Sequence, residues 1–151
     1  MSSIDRKLRH AAGYGKEAEL KELLRNPGCN ALNADELGMT ALMWATRYGY
    51  ESCVRLLLPV SDASATDTDG WTTLMWAANY GHEDCLRILL PVSDVQARDN
   101  KGRTASASAR LRGNRSMTKL IDAYALAQNE QGSIGAAAGP GTASGRLAPR
   151  I

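Results

Sequence analysis

The sequence predicts an all-α fold, a solenoid of four short helix-turn-helix units followed by a disordered C-terminal tail. Three observations predict it. Residues 38–69 recur as residues 70–101 at an offset of 32, with 19 positions identical. The repeat carries turn, helix-start and helix-stop residues at fixed places. The composition also excludes one deep core. The 151 residues are 44% hydrophobic but contain no Phe, three Trp and five Tyr, and Ala makes up much of the apolar count. Thin layers of Ala, Leu and Cys between neighbouring units suit such a chain.

Each unit is read in order. Asp35-Glu36-Leu37-Gly38, Asp67-Thr68-Asp69-Gly70 and Asp99-Asn100-Lys101-Gly102 are Asp-x-x-Gly turns, with Asp opening the turn and Gly taking the positive φ. Thr40, Thr72 and Thr104 follow as helix N-caps, hydroxyl to a free backbone N–H. A first helix over roughly 41–48 and 73–80 ends at the C-capping glycines Gly49 and Gly81, and Gly113 closes the fourth unit's first helix. Glu51 and Glu83 open a second helix, carboxylate near its positive end. Pro59 and Pro91 stop it, since proline cannot donate the next helical bond. Helices this short are marginal alone, so Leu42, Val54 and Leu57 need a neighbouring unit to cover them.

The outer units keep the register but not the pattern. An offset of 34 sets Leu8, Ala11, Tyr14 and Gly15 under Leu42, Ala45, Tyr48 and Gly49, and downstream Ala109 matches Ala77. Ser106 replaces a buried Leu, as suits a terminal unit with one polar flank. The units are expected over about residues 4–36, 37–68, 69–100 and 101–126. From Gln128 to Ile151, 14 of 24 residues are Gly, Ala, Ser or Pro. Such a segment buries too little to offset its ordering entropy, so residues 127–151 are expected to be a disordered tail.

Thr40-Ala41-Leu42-Met43-Trp44-Ala45 and Thr72-Thr73-Leu74-Met75-Trp76-Ala77, each followed by Gly-Tyr or Gly-His and a Leu-Leu helix, resemble the ankyrin repeat. The family signature has Thr-Pro-Leu-His-x-Ala there. Pro59-Val60-Ser61-Asp62 and its copy stand where the family has Gly-Ala-Asp, one residue short of the usual length. The resemblance covers about residues 4–126. It implies a stacked all-α fold that binds partner proteins along a concave edge of turn tips and first helices.

Chemistry is sparse. His82 lies three residues before Cys85, but structural zinc wants four ligands and no second pair exists, so no metal and no cofactor is expected. Cys53 and Cys85 sit at equivalent positions of helices about 8–10 Å apart, too far for a disulfide, and read as small buried hydrophobes. Cys29 reads as a free thiol in a loop. The Gly139–Gly145 segment lacks the strand, helix and Gly-Lys-Ser/Thr of a phosphate loop. Asp67–Gly70 lacks the spacing of a calcium loop. No Ser/His/Asp or Cys/His set can be assembled, so the chain is expected not to be an enzyme.

Recognition remains. Carried over from the resemblance, the tip positions are Glu36, Leu37 and Met39, then Thr68, Asp69 and Trp71, then Asn100, Lys101 and Arg103. Those before the capping Gly are Arg47 and Tyr48, Asn79 and Tyr80, Leu111 and Arg112. Trp71 is expected to point to solvent, with Met39 and Leu37 extending an apolar patch. Trp44 and Trp76, inside the Leu-x-x-Ala helix, are expected in the core. The predicted partner-binding set is Leu37, Met39, Arg47, Tyr48, Asp69, Trp71, Asn79, Tyr80, Lys101, Arg103 and Arg112. The net charge of +2 excludes a surface that tracks nucleic acid throughout. Residues 98–119, however, carry seven Lys or Arg against Asp99 alone, which makes an acidic or nucleic-acid ligand the second reading. The longest apolar runs are far short of the about 20 residues a membrane span needs, and Met1–Lys7 leads into no secretory segment. A monomeric cytoplasmic protein, with the nucleus admitted, is the expectation.

Overall fold

Three threonines start three helices of one kind. The hydroxyls of Thr40, Thr72 and Thr104 accept from the backbone N–H of Met43, Met75 and Ala107 at 3.3, 3.3 and 3.2 Å. The computed structural model describes residues 2–137. Among them the α-helices are α1 (Ser3–Gly13), α2 (Glu17–Leu24), α3 (Ala41–Arg47), α4 (Glu51–Leu57), α5 (Thr73–Tyr80), α6 (Glu83–Leu89), α7 (Ala105–Leu111) and α8 (Arg115–Ala137). Each successive pair is one unit. Glu51 and Glu83 are the first residues of α4 and α6, as the sequence places them, and Pro59 and Pro91 each sit in a single 3-10 turn that ends the second helix.

Stacking puts α1, α3, α5 and α7 side by side in one layer and α2, α4 and α6 in another, while α8 packs on α7. Leu42, Val54, Leu57, Leu74, Leu86 and Leu89 are all buried between units. Burying each is worth roughly 1.5–3 kcal/mol, and this layered interior does the work of one deep core. The turn tips are also tied in series. The Asp-x-x-Gly turns close through Gly38, Gly70 and Gly102 N–H to Asp35, Asp67 and Asp99 C=O at 2.9, 3.0 and 2.9 Å. The Thr68 N–H then donates to Leu37 C=O, and Asn100 N–H to Asp69 C=O, each at 3.0 Å.

The terminal units satisfy their polar groups locally. Buried Asp5 accepts from the Asn30 backbone N–H at 2.7 Å and from the Asn33 side-chain amide. Ser106, at the edge of the interior, donates to the Asp122 carboxylate. The boundary expected at residue 126 is not where the helix ends, because α8 continues to Ala137. Residues 123–131 are mostly strong helix formers, and no Gly or Pro intervenes before Gly132. Residues 138–151, which hold the rest of the expected tail and the Gly139–Gly145 segment, lie outside the described residues.

Candidate concave interaction face

The face is built on one carboxylate in each of the second, third and fourth units. Asp35 Oδ1 accepts from the backbone N–H of Leu37 and Met39, Asp67 Oδ1 from Asp69 and Trp71, and Asp99 Oδ1 from Lys101 and Arg103, all between 2.9 and 3.0 Å. The second oxygen reaches across to the first helix. Trp44 Nε1–H donates to Asp35 Oδ2 at 2.9 Å, and Trp76 Nε1–H to Asp67 Oδ2 at 3.0 Å. In the fourth unit Ser108 stands where Trp would be, and Arg103 Nε–H takes Asp99 Oδ2 at 3.0 Å instead. Burial pushes the Asp99 carboxyl up, but the Arg103 and Lys101 amides and the Arg103 guanidinium outweigh that and hold it below its ordinary value.

Each indole carries a tyrosine. Trp44 and Tyr48 stack at 6.2 Å and 14°, Trp76 and Tyr80 at 5.6 Å and 10°. Arg47 joins the two pairs. Its guanidinium carbon lies 5.5 Å from the Trp44 ring, 5.4 Å from Tyr48, 5.4 Å from Trp76 and 5.7 Å from Tyr80. Flat cation and ring faces attract, so the α3–α5 seam ends at this surface in an arginine held among four rings.

Trp44 and Trp76 therefore correct the expectation of core residues. They are half-buried, because an indole N–H needs an acceptor and Asp35 and Asp67 supply it at the face. Met39 is a second correction. It is 2% exposed, packed under the tip, and adds nothing to an exposed patch. Trp71 is a third. It lies half-buried against Trp76, 4.8 Å between ring centroids, and does not stand out in solvent. Arg103 is half-buried and paired with Asp99. Leu37, Asp69 and Lys101 are exposed at the tips, as are Tyr48, Tyr80 and Arg112 along the helices. Arg112 Nε–H donates to Asn79 Oδ1 at 3.0 Å, which ties the third and fourth units.

Two of the depressions on the described surface have aromatic or basic linings. One, of about 780 Å³, lies between α1 and α3, with Trp44 and Tyr48 on one side and His10 and Tyr14 on the other. The other, of about 480 Å³, is lined by Arg110, Gly113, Arg115, Thr118 and Lys119 in the fourth unit. His82 is committed to packing, its Nε2 2.8 Å from the Arg47 carbonyl oxygen. Cys53 and Cys85 are buried free thiols, and burial pushes Cys85 up to about 11. Among the described residues no group of three or more His, Cys, Asp or Glu is placed to hold a metal, and no helix is long and apolar enough to cross a membrane.

Short helix pairs stacked in register, three of them with a hydrogen-bonded tip, define a helical-repeat solenoid. A family model described as ankyrin repeats (3 copies) matches residues 7–64 and 59–129, and the chain belongs to the ankyrin-repeat family. Ankyrin repeats are in general protein–protein interaction modules and typically non-catalytic. A comparison with curated proteins found no match.

Proposed function

We propose that this chain is a non-catalytic interaction module, a scaffold or adaptor, that binds a partner protein along the tips and first helices. One observation carries the reading. Tyr48 and Tyr80 remain about half exposed (48% and 45%) although each is already stacked on its indole. Rigid aromatic rings beside arginine, held before any partner arrives, are what interface hot spots are made of. Leu37, Asp69, Lys101 and Arg112 surround them with exposed side chains of mixed character, and Asn79, Trp71 and Arg103 brace the same face from below. The module acts as a monomer in the cytoplasm or nucleus.

Affinity capture with the tagged chain tests this. A Tyr48→Ala/Tyr80→Ala variant is expected to lose its partner by about tenfold or more. An Arg55→Ala/Arg87→Ala variant, altered only in exposed ion pairs of α4 and α6, should retain it. Undiminished capture by a folded Tyr48→Ala/Tyr80→Ala variant would discard the face.

The basic depression beside Arg115 and Lys119 supports a second reading, binding of an acidic ligand or nucleic acid through the fourth unit. One of the lining arginines is engaged already, Arg110 with Asp122. Binding to RNA or DNA that falls steeply with salt would favour it, and no binding at low salt would remove it.

A further inference from the structure

The seam between α3 and α5 shows what a guanidinium does in this fold. Arg47 comes from within the chain and lies among Trp44, Tyr48, Trp76 and Tyr80. The seam between α1 and α3 has related walls and a different filling. At the offset of 34, Tyr14 takes the place of Tyr48 and His10 the place of Trp44. Their rings pair at 4.4 Å. Trp44 and Tyr48 form the facing wall. At the position of Arg47, however, the first unit has Gly13. No side chain grows from there into the space, and the slot of about 780 Å³ opens at that point.

We propose that this slot receives the guanidinium of an arginine side chain on the partner protein, placed as Arg47 is placed one unit along. The proposal rests on the concave face being the interaction surface and names the chemistry it recognises there. A plate-shaped, weakly hydrated cation fits between ring pairs better than a compact ammonium. The charges around the slot are mixed. Arg6, Arg9 and His10 project from α1, and Asp35 and Glu36 lie at the tip. Arg9 is buried and donates to the Asn33 carbonyl oxygen at 3.4 Å. Asp35 is occupied by the Trp44 indole and two amides. The exposed titratable side chains on α1 and the tip at the mouth are Arg6, His10 and Glu36. Solvent screens the exposed Arg6, His10 and Glu36 alike, so the ring pairs rather than the rim charges set the preference for a guanidinium.

The test uses the full chain and a small probe. Nα-acetyl-arginine amide is titrated while the indole N–H resonance of Trp44 is followed by NMR. The citrulline analogue (same shape, no charge), the lysine analogue and N-acetyl-glutamate amide serve as comparisons. A saturable shift with the arginine probe is expected, with each comparison binding at least about tenfold more weakly. Gly13→Arg supplies the guanidinium from inside and should abolish the shift, whereas Gly13→Ala should keep it. Gly13→Ala is sterically open, since a Cβ at Gly13 meets Trp44 no closer than 3.7 Å. If Gly13→Arg fails to fold, Tyr14→Ala removes one wall and should weaken the arginine probe alone. The proposal is overturned by equal shifts from citrulline or glutamate probes, by no saturable shift, or by a shift that survives in folded Gly13→Arg. Partner capture separates this from the broader reading. If Gly13→Arg keeps the partner while Tyr48→Ala/Tyr80→Ala loses it, the slot is wrong and the face stands.

Discussion

Replacing Asp67 by Ala should loosen a tip and its first helix together. The carboxylate is 8% exposed and accepts three hydrogen bonds, from the amides of Asp69 and Trp71 at 2.9 Å and from the Trp76 indole at 3.0 Å. A hydrogen bond to a charged group contributes about 1.5–3 kcal/mol net when its partner stays buried. The Asp69 and Trp71 amides are only partly buried and regain water, so they count at the low end or below it. The indole, covered by Trp71 and Tyr80, keeps most of its penalty. The sum is about 3 kcal/mol, or roughly a 10 °C fall in melting temperature for a domain of this size. Urea melts followed by far-UV circular dichroism measure it. A cycle with Trp76→Phe isolates the indole bond, whose coupling energy should be about 1–2 kcal/mol. A loss below about 1 kcal/mol for Asp67→Ala, or additive effects in the cycle, would refute the view that one carboxylate locks tip to helix.

Three further outcomes are expected. Gly49→Ala should destabilise by more than about 2 kcal/mol and Gly113→Ala by about 1. Both glycines have positive φ, +77° and +74°, but only at Gly49 would a Cβ meet a neighbour, the His82 ring at 2.5 Å; equal losses in denaturant melts would contradict this. Native-state titration with a thiol reagent at about pH 8 should modify Cys29, leaving the buried Cys53 and Cys85 protected until the chain unfolds. Because the folded-state pKa of Asp99 is depressed, its stabilisation is complete above the unfolded value of about 3.9 and is lost as pH falls from there through the lower folded value. Asp99→Asn should therefore flatten the acid limb of the stability profile, and an unchanged limb would count against the Arg103 and amide contacts.

What the sequence made legible was local chemistry. Threonine caps, turn glycines, the helix-opening glutamates and the stopping prolines each act within a few residues of themselves, and the structure places them as read. The tip column was harder. Met39, Trp71 and Arg103 share one position in successive units, yet the first is buried, the second half-covered by Trp76 and the third bound to Asp99. Their exposure depends on what the same unit's helix and the next tip set beside them, which spacing alone does not report. Their place inside the Leu-x-x-Ala helix makes Trp44 and Trp76 look like core residues. The missed signal was an Asp nine residues before each Trp, with Ser108 replacing the Trp in the unit where Arg103 takes the carboxylate. An apolar face accounts for the ring of an indole but not for its N–H.

The principal helix contacts join only neighbouring pairs, and this makes length a free variable of the architecture. Among the described residues no strand or helix returns to close the array, so an in-frame duplicate of residues 38–69 set between Asp69 and Gly70 would meet surfaces on both sides that already complement it. Such an insertion would add one Trp–Tyr pair with its own arginine to the row, and the ends of the array would be unaware of the change.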